Sequence, residues 1–349
     1  MICIRADMND TVGLGHMMRC LSIADALKEK EPEVLFLTAD EQGAALLEKR
    51  GYEYVVLYSE WDHLEGELSS LESFFSTRGK SCSLLIIDTY QITQRYLGTL
   101  KTFVPTLLID DIPLFSYDVD SVLCYGIYYK NYYPKDRKDC LFGPAYAPLR
   151  KEFQGAGEKL IREAVENVLI LSGGTDANDM LRQIVRQIDT KKYRRIDIVC
   201  GLYYPEYDDF VRETDPVPEV ILHKNISNIS EYMKDADIAV SAGGSTLYEL
   251  CALGTPTISY CLEDNQMGNV EGFDRSGIIP SAGDIRKDPV LENIVRLLEE
   301  LAPCERRRKL SKGMQRKVDG RGAERIADFI IARYGDDKTL ARAFLQPVE

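Results

Sequence analysis

Short apolar runs alternate with segments in which apolar residues recur every three or four positions, and this alternation extends along most of the chain. Residues 1–6 predict a strand. A glycine-containing turn follows, and Gly15 to Lys28 predicts a helix with Met18, Leu21, Ile23, Ala24 and Leu27 at helical spacing. Strands are then expected at 34–37 and 54–57, with helices at 42–49 and 64–75. The runs 83–88 and 106–110 are largely apolar and end in the carboxylates Asp88 and Asp110, the pattern of parallel strands covered on both faces. Ligands of open α/β sheets bind beyond the carboxyl ends of such strands, where Asp88, Tyr90, Asp110 and Asp111 would lie. Residues 125–133 hold five tyrosines and read as a loop.

The segment near 145–157, with Pro148, Gly155 and Gly157, reads as an interdomain connection. After it the pattern restarts. Strands are expected at 168–172, 196–200, 219–222, 238–241 and 256–260, helices at 180–188, 205–213 and 245–253, and further helices to about 334. A chain of 349 residues exceeds what one core usually serves. The expected organisation is therefore a Rossmann-like α/β domain over 1–150, a second over 151–334, and a tail over 335–349.

Composition narrows the classes of function. The net charge of -13 argues against a nucleic-acid partner, which would need Lys and Arg to neutralise phosphates. No run of about 18 apolar residues exists, so neither membrane spanning nor stable membrane association is expected. Met1 leads straight into an apolar strand without a basic leader. Nine cysteines are scattered without metal-ligand spacing, which suits a cytoplasmic location and argues against structural zinc. An acidic protein can still hold a small anion where helix N-termini converge on it.

Three turns are candidates for chemistry. Gly13, Leu14, Gly15 and His16 follow the first strand; the glycines permit a close ligand approach, and His16, one of three histidines, could take a proton from water. This turn lacks the third glycine of a dinucleotide fingerprint, so a nicotinamide cofactor is not expected. Ser172, Gly173, Gly174, Thr175 and Asp176 form the second turn, and Ser241 through Gly243, Gly244, Ser245 and Thr246 the third. Either could present N–H groups and hydroxyls to phosphates, and neither is a P-loop. Glu249, four residues past Ser245, could accept hydrogen bonds from ribose hydroxyls. Asp88 could cap the next helix, and Tyr90 could reach a sugar. The pair Asp110 and Asp111 is read as turn chemistry rather than a metal site. The basic stretch 305–317 is expected to be a solvated helix face.

These motifs also occur together in an ordered set. Arg5 with Asp7, the Gly13 to Cys20 segment including Arg19, Asp88 to Tyr90, Asp110 with Asp111, Gly143 to Arg150, Gly173 to Asp176, Ser241 to Glu249, and Asp264, Asn265 and Gln266 together resemble the UDP-sugar hydrolases of pseudaminic acid biosynthesis and their spore-coat polysaccharide relatives. The resemblance runs from residue 1 to about 333. It implies a GT-B-like fold, two Rossmann-like domains facing across a cleft, similar to the transferase that builds the lipid-linked disaccharide of peptidoglycan. It also implies release of UDP from a UDP-linked diacetamido-trideoxy sugar by water attack with inversion, without metal or cofactor. His16 would then orient or deprotonate water, Asp7 or Tyr90 would place the sugar, and the C-terminal glycine-rich turns would hold UDP. Asn265 and Gln266 would face the sugar or pyrophosphate. A GT-B glycosyltransferase with a UDP-sugar donor is the main alternative. A non-catalytic nucleotide-sugar binding protein and a sugar-nucleotide epimerase are the others.

Overall fold

The computed structural model describes residues 1–335 apart from 10, 31, 113–115, 134–138, 174, 175, 177, 202, 203 and 225. The chain forms two compact units: Met1–Arg150 together with the residues from Arg321 onward, and Lys151–Gly320.

The first unit is built on a parallel sheet of strands β1 (Ile2–Ala6), β2 (Val34–Thr38), β3 (Glu53–Val56), β4 (Leu84–Asp88), β5 (Thr106–Ile109), β6 (Ser121–Cys124) and β7 (Cys140–Phe142), in the order β3-β2-β1-β4-β5-β6-β7. β1, β2 and β4 are buried along their whole length, as strands covered on both faces must be. Helices α1 (Gly15–Lys28), α2 (Ala44–Lys49), α3 (Leu68–Ser76) and α4 (Gln94–Leu100) connect the strands. The buried face of α1 carries Met17, Cys20, Leu21, Ala24 and Leu27, the helical stripe seen in the sequence.

The sheet order reverses between β1 and β4, with Ala6 beside Asp88. The connections that leave those two strands diverge to opposite sides, and a crevice opens at such a switch point. The sequence of connections thereby decides where a site can form in this unit.

The second unit repeats the plan with β8 (Asn167–Leu171), β9 (Arg195–Cys200), β10 (Val220–Lys224), β11 (Ile238–Ala242), β12 (Thr257–Cys261) and β13 (Ser281–Asp284) in the order β10-β9-β8-β11-β12-β13. Its helices are α5 (Met180–Gln187), α6 (Tyr207–Thr214), α7 (Ile229–Asp235), α8 (Thr246–Leu253), α9 (Asp264–Arg275), α10 (Val290–Glu300) and α11 (Cys304–Lys317). Its switch point lies between β8 and β11, the strands that precede the second and third glycine-rich turns.

Three differences from the sequence expectation have physical causes. Strands β6, β7 and β13 have three or four residues each, too few for a periodic signal. The last helix, α12 (Gly322–Tyr334), returns to the first unit instead of closing the second. There Lys30 pairs with Asp328 at 2.5 Å, Arg325 donates to the Ala145 carbonyl at 2.9 Å, and Ser121 hydrogen-bonds Tyr334 at 2.6 Å. A Cβ at Gly322 would run into the backbone of Ala147, so glycine permits this docking. The third difference is in the basic stretch 305–317, which is not wholly solvated. Arg307 is fully buried and donates to the carbonyls of Leu301, Arg162 and Glu163. Of the expected tail, residues 336–349 lie outside the described residues. No helix among the described residues is long and apolar enough to cross a membrane.

Against the interior strand β1 lies a buried ion cluster. Arg5 Nε and Nη2 each reach a Glu67 carboxylate oxygen at 2.8 Å, and Arg5 Nη1 donates to Asp7 at 2.6 Å. Ser59 and Tyr96 donate to Glu67 as well, at 2.9 and 2.6 Å. Burial opposes the Arg5 charge, but hydrogen bonding to Glu67 and the charge of Asp7 outweigh it and raise its pKa. Such a pair is costly to break from one side, because the partner is left buried and uncompensated. Glu67→Ala is expected to destabilise the protein by about 3–5 kcal/mol in urea unfolding, whereas an isolated surface pair such as Arg78 with Glu53 should matter by less than about 1 kcal/mol.

Candidate functional site

In the first unit the connection leaving β1 carries Asn9, whose side-chain Oδ1 accepts from the backbone N–H groups of Thr11 at 2.9 Å and Val12 at 2.8 Å. Gly13 donates its N–H to the Asn9 carbonyl at 2.8 Å and holds φ at 74°, a conformation that favours glycine. A Cβ at Gly13 or Gly15 would meet nothing within 4 Å. The loop delivers His16 as the second residue of α1.

His16 Nδ1 lies 2.6 Å from Asp88 Oδ1 at the end of β4. Arg19, one turn further along α1, donates from Nε to Asp88 Oδ2 at 2.6 Å and from Nη2 to Asp88 Oδ1. Burial alone would raise the Asp88 pKa. The positive charge of Arg19 and the contact with His16 outweigh it and hold this carboxyl well below the usual carboxylate range. An ionised carboxylate can only accept, so the neutral imidazole carries its proton on Nδ1 and leaves Nε2 as the basic nitrogen. Asp88 thus orients His16 rather than capping α4, whose cap is Thr93, accepting from the Tyr96 N–H at 3.1 Å.

The Tyr90 ring packs edge-on against His16, centroids 4.4 Å apart, and its hydroxyl donates to Asp111 Oδ2 at 3.1 Å. Arg19 Nη1 reaches the same Asp111 oxygen at 2.5 Å and the Tyr125 hydroxyl at 2.9 Å. Burial pushes Tyr125 up to about 12, so its hydroxyl stays protonated at neutral pH. The sequence reading takes Asp111 as turn chemistry near the site and places Tyr125 in a tyrosine-rich loop, with no role in the site for either. The signal for Asp111 was that it follows β5 as Asp88 ends β4. Asp7 lies apart from this constellation in its bonding: one oxygen takes Arg5 and the other accepts the Ala39 N–H at 2.8 Å.

The two glycine-rich turns of the second unit differ. After β8, Gly173 holds φ at 83°, and Gly174 and Thr175 lie outside the described residues. Asp176 is buried. Its carboxylate accepts from the N–H groups of Met180 and Leu181, both at 3.0 Å, and from Ser172 Oγ at 2.5 Å. The first turn of α5 is therefore already occupied by a protein carboxylate. After β11 the arrangement is open. Ser245, the N-cap residue of α8, is exposed and makes no side-chain cap bond, no other described side chain is seen to cap this end, and a Cβ at Gly244 would meet nothing within 4 Å. Gly243 instead is packed against α9, where a Cβ would lie 3.1 Å from Gln266 Cβ and would strike Val270.

Asn269 secures the same turn by donating to the Gly243 carbonyl at 3.1 Å, and is held in turn by Tyr248 at 2.6 Å. The starts of α8 and α9 are thus brought together, with Thr246 and the half-buried Glu249 on the first and Asn265 and Gln266 on the second. Asn265 is exposed, while Gln266 Oε1 accepts from the Leu262 N–H at 3.0 Å and so closes its own turn. Asn269 and Tyr248 escaped the sequence reading, although Asn269 stands one helical turn from Gln266. Among the described residues no group of three or more His, Cys, Asp or Glu side chains could hold a metal ion.

Two Rossmann-like parallel-sheet units of this kind define the GT-B-like class of folds, and solved structures agree. The chain superposes on the crystal structure of MurG from Acinetobacter baumannii with a TM-score of 0.68 at 12% identity, over 94% of this chain and 98% of that one. Residues 167–307 match the model of the Glycosyltransferase family 28 C-terminal domain. Among similar curated proteins, the spore coat polysaccharide biosynthesis protein SpsG of Bacillus subtilis is 25% identical over 93% of this chain and 95% of its own length. An uncharacterized protein of Methanocaldococcus jannaschii is 24% identical over 74% of this chain, which spans 54% of that relative. The UDP-N-acetylglucosamine--N-acetylmuramyl-(pentapeptide) pyrophosphoryl-undecaprenol N-acetylglucosamine transferase of Bacillus cytotoxicus is 28% identical over 39% of each chain.

The expectation of a UDP-sugar hydrolase is corrected by these findings. The family model matched over the second unit is a glycosyltransferase domain, and the homologous transferase carries out group transfer. The residues that suggested hydrolysis do not separate the two reactions, since a water molecule and an acceptor hydroxyl need the same base.

Beside the His16 cluster, Asp110 is pushed up to about 7, by burial first and by the neighbouring Asp111 second. The Tyr117 hydroxyl at 3.2 Å and the Tyr133 hydroxyl both donate to it. The folded state therefore binds a proton that the unfolded chain releases near pH 4, and this stabilisation is present below that pH and lost as pH rises through 7. Asp110→Asn should be more stable than the parent at pH 8, by on the order of 2 kcal/mol, with the advantage gone at pH 4. Thermal unfolding across that range checks this.

Proposed function

We propose that this protein is a glycosyltransferase that uses a UDP-sugar donor. The second unit holds the diphosphate at the start of α8, and the first unit supplies His16 as the base for the acceptor hydroxyl. The contrast between the two helix starts carries the reading. Within the segment matched by the glycosyltransferase domain, α5 is filled by Asp176, while α8 keeps an uncapped N-terminus behind the open Gly244 and exposed Ser245. Backbone N–H groups and the helix dipole at such an end favour an anion. Thr246 and Ser245 add hydroxyls, Glu249 serves the ribose, and Asn265 at the start of α9 serves the pyrophosphate or sugar.

The chemistry follows from the tautomer. His16 Nε2 accepts the proton of an acceptor hydroxyl while Asp88 holds Nδ1–H and stabilises the imidazolium that forms. The hydroxyl oxygen bonds to the anomeric carbon, the bond from that carbon to the β-phosphate oxygen breaks, and the electron pair leaves with UDP. A single displacement of this kind inverts the anomeric centre. Donors aimed at the charge growing on the β-phosphate lower the barrier, on the order of 3 kcal/mol for a well-placed one.

Calorimetry with UDP, followed by incubation with a panel of UDP-sugars that begins with UDP-N-acetylglucosamine and a panel of hydroxyl-bearing acceptors, tests the proposal. Saturable UDP binding and a glycoside detected by mass spectrometry are expected. Failure to bind UDP, or release of free sugar at a rate that no acceptor changes, would sink the reading. Gly244→Asp introduces a carboxylate where a Cβ meets no protein atom within 4 Å. It should leave the melting temperature unchanged and weaken UDP binding at least about tenfold, because the added carboxylate repels the diphosphate.

In the first unit His16→Ala should keep UDP binding and lower the transfer rate by about 10²–10⁴-fold, the usual contribution of a positioned base. Asp88→Asn should approach the same loss through the wrong tautomer. Near-normal turnover in a folded His16→Ala variant removes His16 from the mechanism.

A further inference from the structure

Two polar atoms, one in the His16 constellation and one in the loop that delivers His16, are buried without a hydrogen-bond partner among the described residues: the acceptor Asp111 Oδ1 and the donor Asn9 Nδ2. Each belongs to a side chain whose other branch is fully engaged. Asp111 Oδ2 takes both Arg19 and Tyr90, which fixes the carboxylate one residue away from the imidazole that Tyr90 touches. Asn9 Oδ1 takes the N–H groups of Thr11 and Val12, which establishes the oxygen branch of this amide and leaves Nδ2 pointing away from the turn. Only 8% of Asn9 is exposed.

The turn at Asn9 does not itself call for an amide. An Asp or Ser oxygen closes the same turn, so the NH₂ group is surplus to folding. A buried group left unmatched costs about 1–3 kcal/mol, and more where it is charged, and native proteins keep few of them without a use.

We infer that Asp111 and Asn9 are ligand contacts that set acceptor specificity at the His16 site. Asp111 Oδ1 accepts from a hydroxyl or amino group of the acceptor, and Asn9 Nδ2 donates to one of its hydroxyl or carbonyl oxygens. The inference rests on the reading of His16 as the base for an acceptor hydroxyl. Arg19 has its Nε and Nη2 on Asp88 and its Nη1 on Asp111 and Tyr125, so this guanidinium is committed and does not serve an anion. The chemistry recognised is therefore that of an uncharged polyhydroxylated or amide-bearing molecule, such as a sugar or an N-acylated amino sugar, rather than a phosphate or carboxylate.

Two isosteric substitutions separate these contacts from the fold. Asp111→Asn keeps an oxygen for Arg19 and turns the unmatched acceptor into a donor. Asn9→Asp keeps the turn oxygen and turns the unmatched donor into an acceptor. Each is expected to raise the KM for an acceptor glycosylated by the wild type at least about tenfold, with a smaller change in kcat and with the Kd for UDP within about twofold of the wild type. A folded variant whose acceptor KM and kcat/KM both stay within about threefold of the wild type overturns the assignment of that residue. If an isosteric variant does not fold, Asn9→Ser and Asp111→Ala remove the same contacts and are judged by the same criterion. A wild type that binds UDP but forms no glycoside with any acceptor defeats the transferase reading and this inference together, whereas normal variants beside an active wild type defeat the inference alone.

Discussion

The first unit depends on the grip of Arg19 on Asp88. Asp88 sits at the end of a strand buried on both faces, where an ionised carboxylate loses most of its hydration. The charge persists there because Arg19 covers both of its oxygens in the planar, two-point geometry that guanidinium and carboxylate share. His16 then receives the remaining direction of approach to Oδ1, and its tautomer follows. A lysine in place of Arg19 would supply the charge but not the fork, and could not also reach Asp111 and Tyr125. One side chain thus ties the ends of α1, β4, β5 and β6 into a single electrostatic unit.

Sheet topology explains why these residues meet at all. His16 and Arg19 come from the connection after β1, and Asp88 from the end of β4, the two strands flanking the point where the order reverses. The second unit makes the same use of its own reversal between β8 and β11, and both of its glycine-rich turns fall there. The two turns look alike as strings of small residues. They differ because Asp176 folds back onto the N–H groups of Met180 and Leu181, whereas Ser245 makes no such bond and Gly243 is clamped from outside by Asn269 and Val270. A helix start filled by its own carboxylate and one left uncapped have opposite meanings for an anion.

Much of this was legible from residue pattern alone. The alternation of apolar runs and helical stripes located the long strands and helices, and His16, Arg19, Asp88 and Tyr90 were singled out and do lie together. What escaped was set by distance in the chain. The return of α12 to the first unit depends on Gly322 against Ala147 and on Tyr334 against Ser121, contacts across well over a hundred residues that no local pattern encodes. Asp7 had the composition of a ligand contact, yet its oxygens serve Arg5 and Ala39. Arg307 sat in a basic run that suggested solvent, but it is buried because the carbonyls of Leu301, Arg162 and Glu163 converge on it.

The choice between transfer and hydrolysis was illegible for a different reason. A base, a nucleotide-sugar donor and a helix end for the departing phosphate are common to both, and residues selected for those tasks cannot report which hydroxyl attacks. That information resides in whatever binds the attacking molecule and excludes water, which is where unmatched buried groups become informative. Water can satisfy an isolated acceptor or donor with little geometric demand. An acceptor on Asp111 and a donor on Asn9, each held rigid by bonds on its other branch, instead fix a hydrogen-bond sense that a ligand must match. On the proposed reading, two rigid polar groups of opposite hydrogen-bond sense choose among hydroxyls, and that choice is the task separating a transferase from a hydrolase.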